Sequence, residues 1–510
     1  MIFWLYPKGV RYMGELYQSL GFSENPFSRF SAEEEIDYLS DIYIKPRYFD
    51  TLINDLSNGA SRFIFGDRGS GKSALIIELK KELEKNNIFA IIIQNYDDIP
   101  LKNNDKHMIY LMIQELLKKL VVVLSKNSFL IKKLDKYDKE KLAIFIRDFY
   151  NSMSRREYED SFNKISKVKA KNTIKNIFNT ILNKPINIAI SSGIEITSDL
   201  VCKSFNLPKT GNLDFYKKYI PDLKLEEINK KQKEEYFLSN YKLLKDMLLE
   251  LIFIIKKLGF KNTVIFFDRI DEFKALGGKI NNIVDFTVQM LKDTDLLYTK
   301  ELSLVFSIWN DIKRKLNEDG IRFDKFKPID VSWNNEDTIN ILQKRLAHFA
   351  INKPYDYKNL LEKEECLEDL IYLVNKSPRD LIRLFSAIYD EQSISNPQSK
   401  VFQMDNIHKA EIKYCRQYDY YSVFPSKIGT KEDIVSIVKK ILKVGKTTFK
   451  SSDLVSEFKF STQSANSYIK IMKDYGLICD NEQIVSVPKE YIVIDPKLVY
   501  LIDNSIKELK

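Results

Sequence analysis

The residues best suited to chemistry begin at Gly66, in the run "GDRGSGKS". Gly66, Asp67, Arg68, Gly69, Ser70, Gly71, Lys72 and Ser73 occupy the pattern G-x-x-x-x-G-K-[ST]. In that pattern flexible glycines let backbone N–H groups wrap a β-phosphate, the lysine reaches the β- and γ-oxygens, and the hydroxyl ligates Mg2+. The implied chemistry is nucleotide binding, with Lys72 on the phosphates and Ser73 on the metal. The neighbours agree: "RFIF" predicts a buried strand before the loop, and "SALIIELKKEL" predicts a helix after it with Ala74 in its first turn. A helix N-terminus adds its own attraction for phosphate.

A second cluster lies in "TVIFFDRIDEF", Thr263–Phe273. Asp268 ends an apolar strand and is expected to hold Mg2+ through water; the alternative is a cap for a following helix. Asp271 and Glu272 follow about one helical turn later and are the candidates for orienting an attacking water. Asp271 is the first choice because it is nearer the strand end; the alternative makes both ordinary surface acids. Arg269 is expected to point away from the nucleotide, toward a partner or an acidic neighbour.

Periodicity then places these clusters on elements. "IFAIIIQ" predicts a buried strand, and residues from about 100 to 257 carry helical apolar spacing almost throughout, apart from "INIAISSGIEI", whose alternation predicts a small hairpin. "SLVFSIW" and the region of "FKPIDVSW" predict two further strands. The fold class expected is α/β: a P-loop NTPase with a three-layer core and parallel sheet. The domain plan is an N-terminal segment at 1–40, an ATPase core at 41–335 with a helical insertion at about 100–257, a helical lid at 336–425 and a winged helix at 426–510. Translation is expected to begin at Met13, since Lys8-Gly9-Val10 can be encoded as a purine-rich ribosome-binding run; residues 1–12 would then lie outside the folded protein.

Bulk properties bound the remaining possibilities. Gly and Pro are sparse, at 16 and 14 residues, and 44% of the chain is hydrophobic, which excludes extensive disorder. The net charge of +9 comes from lysines spread along the chain, not from a tail. It fits either an AT-rich bacterial coding sequence or a nucleic-acid partner. The basic run "KISKVKAKNTIKNIFNTILNK" is likewise either a solvated helix face or a nucleic-acid contact. Cys202, Cys366, Cys415 and Cys479 lie far apart without metal-ligand spacing, which implies a reducing cytoplasm and no structural zinc. No apolar run approaches the roughly 20 residues of a membrane span.

With strand, loop, helix and acidic strand in place, the chain resembles the AAA+/STAND group of P-loop ATPases, and within it the ORC/Cdc6 branch and its bacterial relatives. The resemblance covers about residues 41–500 apart from the insertion. It implies that Asn310, ending "VFSIWN", senses the γ-phosphate, that "DTINILQKRL" is the first lid helix, and that Arg379 in "KSPRDLIRLF" lies over the phosphates. Arg322 in "DGIRFDKF" sits where an arginine finger for a neighbouring subunit would be; Arg314 is its rival, and an exposed surface arginine is the plain alternative for each. Implied with these are ATP and Mg2+ as ligands and a homo-oligomer or partner protein. The chain departs from origin-type proteins by carrying Arg269 where they place glutamate, an offset of acids closer to STAND-type and bacterial defence ATPases.

In the last domain "FSTQSANSYIKIMKDYGLI" predicts a helix capped by Ser461, with Ala465, Tyr468, Ile469, Met472 and Tyr475 facing inward. Gln463, Asn466, Ser467, Lys470 and Lys473 are left on the face that would enter a DNA groove, and "LICDNEQIVSV" predicts a hairpin with an acidic wing. That face has no arginine, so DNA contact and a protein-packing role both stand. The expectation is an ATP-driven cytoplasmic switch, in defence or mobile-element biology by resemblance. The alternatives are an initiator-type DNA-binding protein and a nucleotide-binding scaffold with negligible turnover.

Overall fold

The computed structural model describes residues 15–151, 153–154, 157, 195–208, 230–424, 433–482 and 489–510. Two compact units divide the chain: one takes 47–65 and 79–329, the other the N-terminal residues to 46, the phosphate-loop stretch 66–78 and 330–510.

The first unit is built on a five-stranded sheet of β1 (Arg62–Gly66), β2 (Phe89–Ile93), β3 (Thr263–Phe267), β4 (Leu302–Trp309) and β5 (Ile329–Asp330), in the order β2-β3-β4-β1-β5. β2, β3 and β4 run parallel, with Phe89 opposite Thr263 and Thr263 opposite Leu302. Every residue of β3 and β4 is buried, which is why both read as unbroken apolar runs. Chain order and sheet order disagree, so the strand that feeds the phosphate loop is separated from the acidic strand β3 by β4. This is an α/β P-loop NTPase fold.

Helices α1 (Phe49–Ser57), α2 (Lys72–Lys85), α3 (Asp105–Lys126), α4 (Lys136–Phe149), α5 (Tyr241–Lys257), α6 (Ile280–Leu291) and α7 (Asn310–Glu318) connect the strands. α3 packs on β2 and α5 on β3. Both end helices of the stretch expected to be an insertion at about 100–257 therefore lie against the sheet. The physical reason is the sheet itself, since parallel strands buried on both faces need helices to cover them. α3 meets that need with a stripe of Met108, Met112, Leu116 and Leu120, all buried. The hairpin expected at "INIAISSGIEI" and the basic run before it lie outside the described residues, apart from Glu195 and Ile196, of which Ile196 bridges to Met153. The first 12 residues, and Met13 with them, also lie outside.

The second unit has one continuous hydrophobic core. It contains α8 (Asn335–Phe349), α9 (Cys366–Leu373), α10 (Pro378–Ser395), α11 (Met404–Arg416), α12 (Ile434–Val444), α13 (Ser451–Phe458), α14 (Thr462–Asp474) and α15 (Pro496–Asp503). α15 packs back on both α9 and α11, so apolar packing runs unbroken from these helices into the C-terminal module. Among the described residues that module holds α12 to α15 and a small antiparallel sheet of β6 (Thr448–Lys450), β7 (Ile478–Asp480) and β8 (Glu490–Val493), ordered β6-β8-β7. β7 opens the stretch "LICDNEQIVSV", whose residues 483–487 lie outside the described residues, and β6, only three residues long, is too short to show alternation. Arg345 of α8, 4% exposed, pairs with the buried Glu35 and donates to the carbonyl oxygens of Pro26 and Arg29, holding the N-terminal segment to α8.

Candidate nucleotide site

The phosphate loop is shaped by its glycines and by the chain that closes around it within the second unit. Gly69 and Gly71 adopt φ of 86° and 91°, a region where side chains are costly. A Cβ on Gly69 would stand 2.9 Å from Ser377 Oγ and 3.2 Å from Arg379 Cβ; one on Gly66 would meet Ser70 Oγ at 2.6 Å. Lys72 Nζ donates to the carbonyl oxygens of Gly66 (2.7 Å) and Asp67 (3.1 Å), so the ammonium already lies along the loop. The amide of Leu75 donates to Gly71 O, starting the ladder of α2. The N–H groups of Lys72, Ser73 and Ala74 thus form the first helical turn, where no intrahelical acceptor exists. Ser70 Oγ is buried with no hydrogen-bond partner among the described residues. A glycine-lined cradle, an ammonium, a helix N-terminus and an unsatisfied buried hydroxyl fit a nucleotide phosphate chain, and the Ser73 hydroxyl is the type of donor Mg2+ accepts.

Arg379 reaches this loop through α10. Ser377 caps that helix by accepting from the Asp380 amide, Pro378 occupies its first turn, and the Arg379 amide lies 3.4 Å from Gly69 O. Arg68 turns the other way, its Nη1 donating to Ser422 O at 2.8 Å. Trp333, in the chain between β5 and α8, donates its indole N–H to Ser70 O at 2.7 Å.

The acids sit in the first unit. Asp268 is 1% exposed, and its amide extends the β2–β3 ladder by donating to Ile93 O at 3.0 Å. Gln94, at the end of β2, donates Nε2 to Asp268 Oδ2 at 3.1 Å. Beneath them lies Tyr96, fully buried, whose hydroxyl is 3.0 Å from both Ile93 O and Asp268 O. Burial, helped by the charges of Asp268 and Asp271, pushes this phenol far above its ordinary range, so it stays a donor. Arg269 takes a left-handed conformation at φ 60° and turns the chain into a short 3-10 turn, Ile270–Glu272. Asp271 is buried on that turn. Glu272 is exposed and lies 3.7 Å from Arg269 Nε, so the acidic neighbour that Arg269 faces is Glu272.

Asn310 begins α7 directly after β4. Arg322 is exposed and makes a two-pronged contact with Asp324, at 2.9 and 2.7 Å, while Arg314 is exposed beside Glu318. In α14, Ala465, Ile469 and Met472 are buried, Tyr468 and Tyr475 are half-buried, Gln463, Asn466 and Lys470 are exposed, and Ser461 Oγ accepts from the Ser464 amide. Lys473 is engaged at the surface: its Nζ lies 2.5 Å from Asp480 Oδ1 and over the Tyr491 ring.

Three residues of interest escaped the sequence reading. Gln94 carried a signal, a polar residue ending a buried strand; Tyr96 and Trp333 carried none, because their partners are distant in the chain. Among the described residues no group of His, Cys, Asp and Glu could by itself hold a metal ion, and no helix is long and apolar enough to cross a membrane.

No protein-family profile and no curated protein matches the chain. Among solved structures it is similar to the ORC2 protein of Aeropyrum pernix, solved as ADPNP-ADP complexes, at 9% identity and a TM-score of 0.39, covering 95% of this chain and 98% of that one. It is also similar to Cdc6p from Pyrobaculum aerophilum, at 11% identity and a TM-score of 0.30, covering 96% and 98%. At such scores the fold assignment stands on the strand order and the phosphate loop, not on these likenesses.

Proposed function

We propose that the protein is an ATP-binding and ATP-hydrolysing molecular switch of the AAA+/STAND type, working in the cytoplasm as an oligomer or with a partner protein. The observation that carries this reading is the closure of a glycine phosphate loop by the N-terminus of the Arg379 helix. A loop wrapped this way couples what it binds to the lid and C-terminal module, which share one hydrophobic core. Lys72 would hold the β- and γ-phosphates and Arg379 and Asn310 would sense the γ-phosphate. Ser73 and Asp268 would hold Mg2+, which supplies charge neutralisation.

Asp271 is the better water-orienting acid on two grounds: it is buried, and Glu272 is exposed and turned to Arg269. Arg322 is assigned to a neighbouring subunit's nucleotide, which its exposure permits. The setting in anti-phage defence or mobile-element biology is carried over from the resemblance.

An initiator-type DNA-binding protein is the second reading, supported by the exposed Gln463, Asn466 and Lys470 of what is taken as a winged helix. The surface ion pair of Lys473 with Asp480 counts against it, since it occupies one of the two lysines that would contact phosphate.

ATP turnover lost in Lys72→Ala, with nucleotide-dependent assembly by size-exclusion chromatography, is the expected result. Turnover in the wild type no faster than in Lys72→Ala would leave only a nucleotide-binding scaffold. Salt-sensitive DNA binding weakened by Lys470→Glu would favour the second reading. Surface variants are needed for this, because deleting the C-terminal module would open the shared core.

A further inference from the structure

We propose that Trp333 is a positioning residue for the phosphate loop, fixing the peptide plane between Ser70 and Gly71 so that the Gly71 N–H faces the bound phosphates. This role rests on the reading of the loop as a nucleotide site and adds to that site a residue outside the loop pattern.

In a planar trans peptide the C=O and the following N–H point in opposite directions. Ser70 O is taken by the indole N–H of Trp333 at 2.7 Å, so the Gly71 N–H is aimed away from the indole. A Cβ on Gly71 would lie 3.9 Å from the indole ring, which places the same ring behind the whole peptide unit. Both Ser70 and Trp333 are buried, so water does not compete for that carbonyl.

Such a lock is needed because this peptide is free to rotate. It ends on Gly71, at positive φ, and glycine crosses between positive and negative φ more readily than any other residue. A flip would replace the N–H with a carbonyl oxygen, and a site that should attract anions would repel them. The adjoining peptide is already held from both sides, with Gly69 O accepting from the Arg379 amide and the Ser70 amide donating to Asp67 O at 3.2 Å. Trp333 supplies the remaining restraint. An indole suits this role because its nitrogen is a donor only and cannot reverse the polarity of the contact. Its place in the chain, next to the Asn334 cap of α8, ties the loop's crown to the start of the first lid helix.

The experiment compares the full-length wild type with Trp333→Phe, which keeps a ring and loses the N–H. A second variant carries benzothienylalanine at position 333, which replaces the N–H by sulfur at nearly the same volume. Affinity for Mg-ADP, competition by inorganic pyrophosphate, and the unfolding midpoint without ligand are measured for each. One lost buried hydrogen bond corresponds to roughly threefold to fifteenfold weaker binding. The expected result is that loss for ADP and the same factor for pyrophosphate in both variants. Equal affinities in wild type and variants would overturn the inference, and a lower ligand-free midpoint at unchanged affinity would mark a merely structural residue. A wild type that binds neither ADP nor pyrophosphate would instead overturn the nucleotide reading itself.

Discussion

Gly69→Ala is the most direct test of the loop's geometry, and its cost can be worked from two separate contributions. Gly69 sits at φ 86°, where an L-residue costs about 1–2 kcal/mol. The new methyl would also lie 2.9 Å from Ser377 Oγ and 3.2 Å from Arg379 Cβ. The first neighbour is a hydroxyl that can rotate; the second is a carbon fixed to the backbone of α10, so the loop and that helix must part. Overpacking of this kind costs about 1–3 kcal/mol, bringing the total to about 2–5 kcal/mol. Gly320 provides the control: it has φ 89°, and a methyl added there would meet nothing within 4 Å, so Gly320→Ala carries the dihedral cost alone. Calorimetric titration with Mg-ADP should show Gly69→Ala weakened at least tenfold and Gly320→Ala within about twofold of wild type. Comparable ADP affinity in Gly69→Ala and wild type would refute the claim that this loop, held against Arg379, is where the phosphates bind.

Other consequences can be checked in parallel. Asp271→Asn should lower steady-state ATP turnover by about a hundredfold or more while Glu272→Gln stays within about threefold, as befits a positioned acid-base group against a surface carboxylate; full turnover in both would place the catalytic acid elsewhere. Glu35→Gln leaves Arg345 buried without its counter-charge and should destabilise the second unit by about 3–5 kcal/mol, seen as a lower unfolding midpoint and earlier proteolysis of residues 15–46. Glu411 is held above the usual carboxylate range by burial, so ionising it opposes folding: its contribution is fully present at low pH and is lost as pH rises through its folded value. Glu411→Gln should therefore match the wild-type midpoint near pH 4 and exceed it at neutral pH, and midpoints that differ equally at both would contradict the assignment.

Legibility in the sequence followed the range of the interaction. The phosphate loop, its helix, β3 and β4 could be read because each is a contiguous stretch whose glycines or apolar runs state the local geometry. Asp268 could be placed because it ends an apolar strand. The covering role of α3 and α5 could not be read, since their spacing looks the same on an inserted helix as on one laid against a sheet. β6 was missed for shortness, and the Glu35–Arg345 pair because its partners are far apart in the chain.

Taken alone, the sequence determined the glycine loop of the phosphate-binding pattern, the acids at the strand end and the helix or strand character of the long elements, since each depends on neighbours along the backbone. Only the tertiary structure decided which acid is buried and which faces Arg269, and that Tyr96 and Gln94 support Asp268. Only it showed that Trp333 and α10 close on the loop. Those outcomes depend on which distant segments share a sheet or a core, and burial, which selects among chemically similar side chains, exists only after they have met.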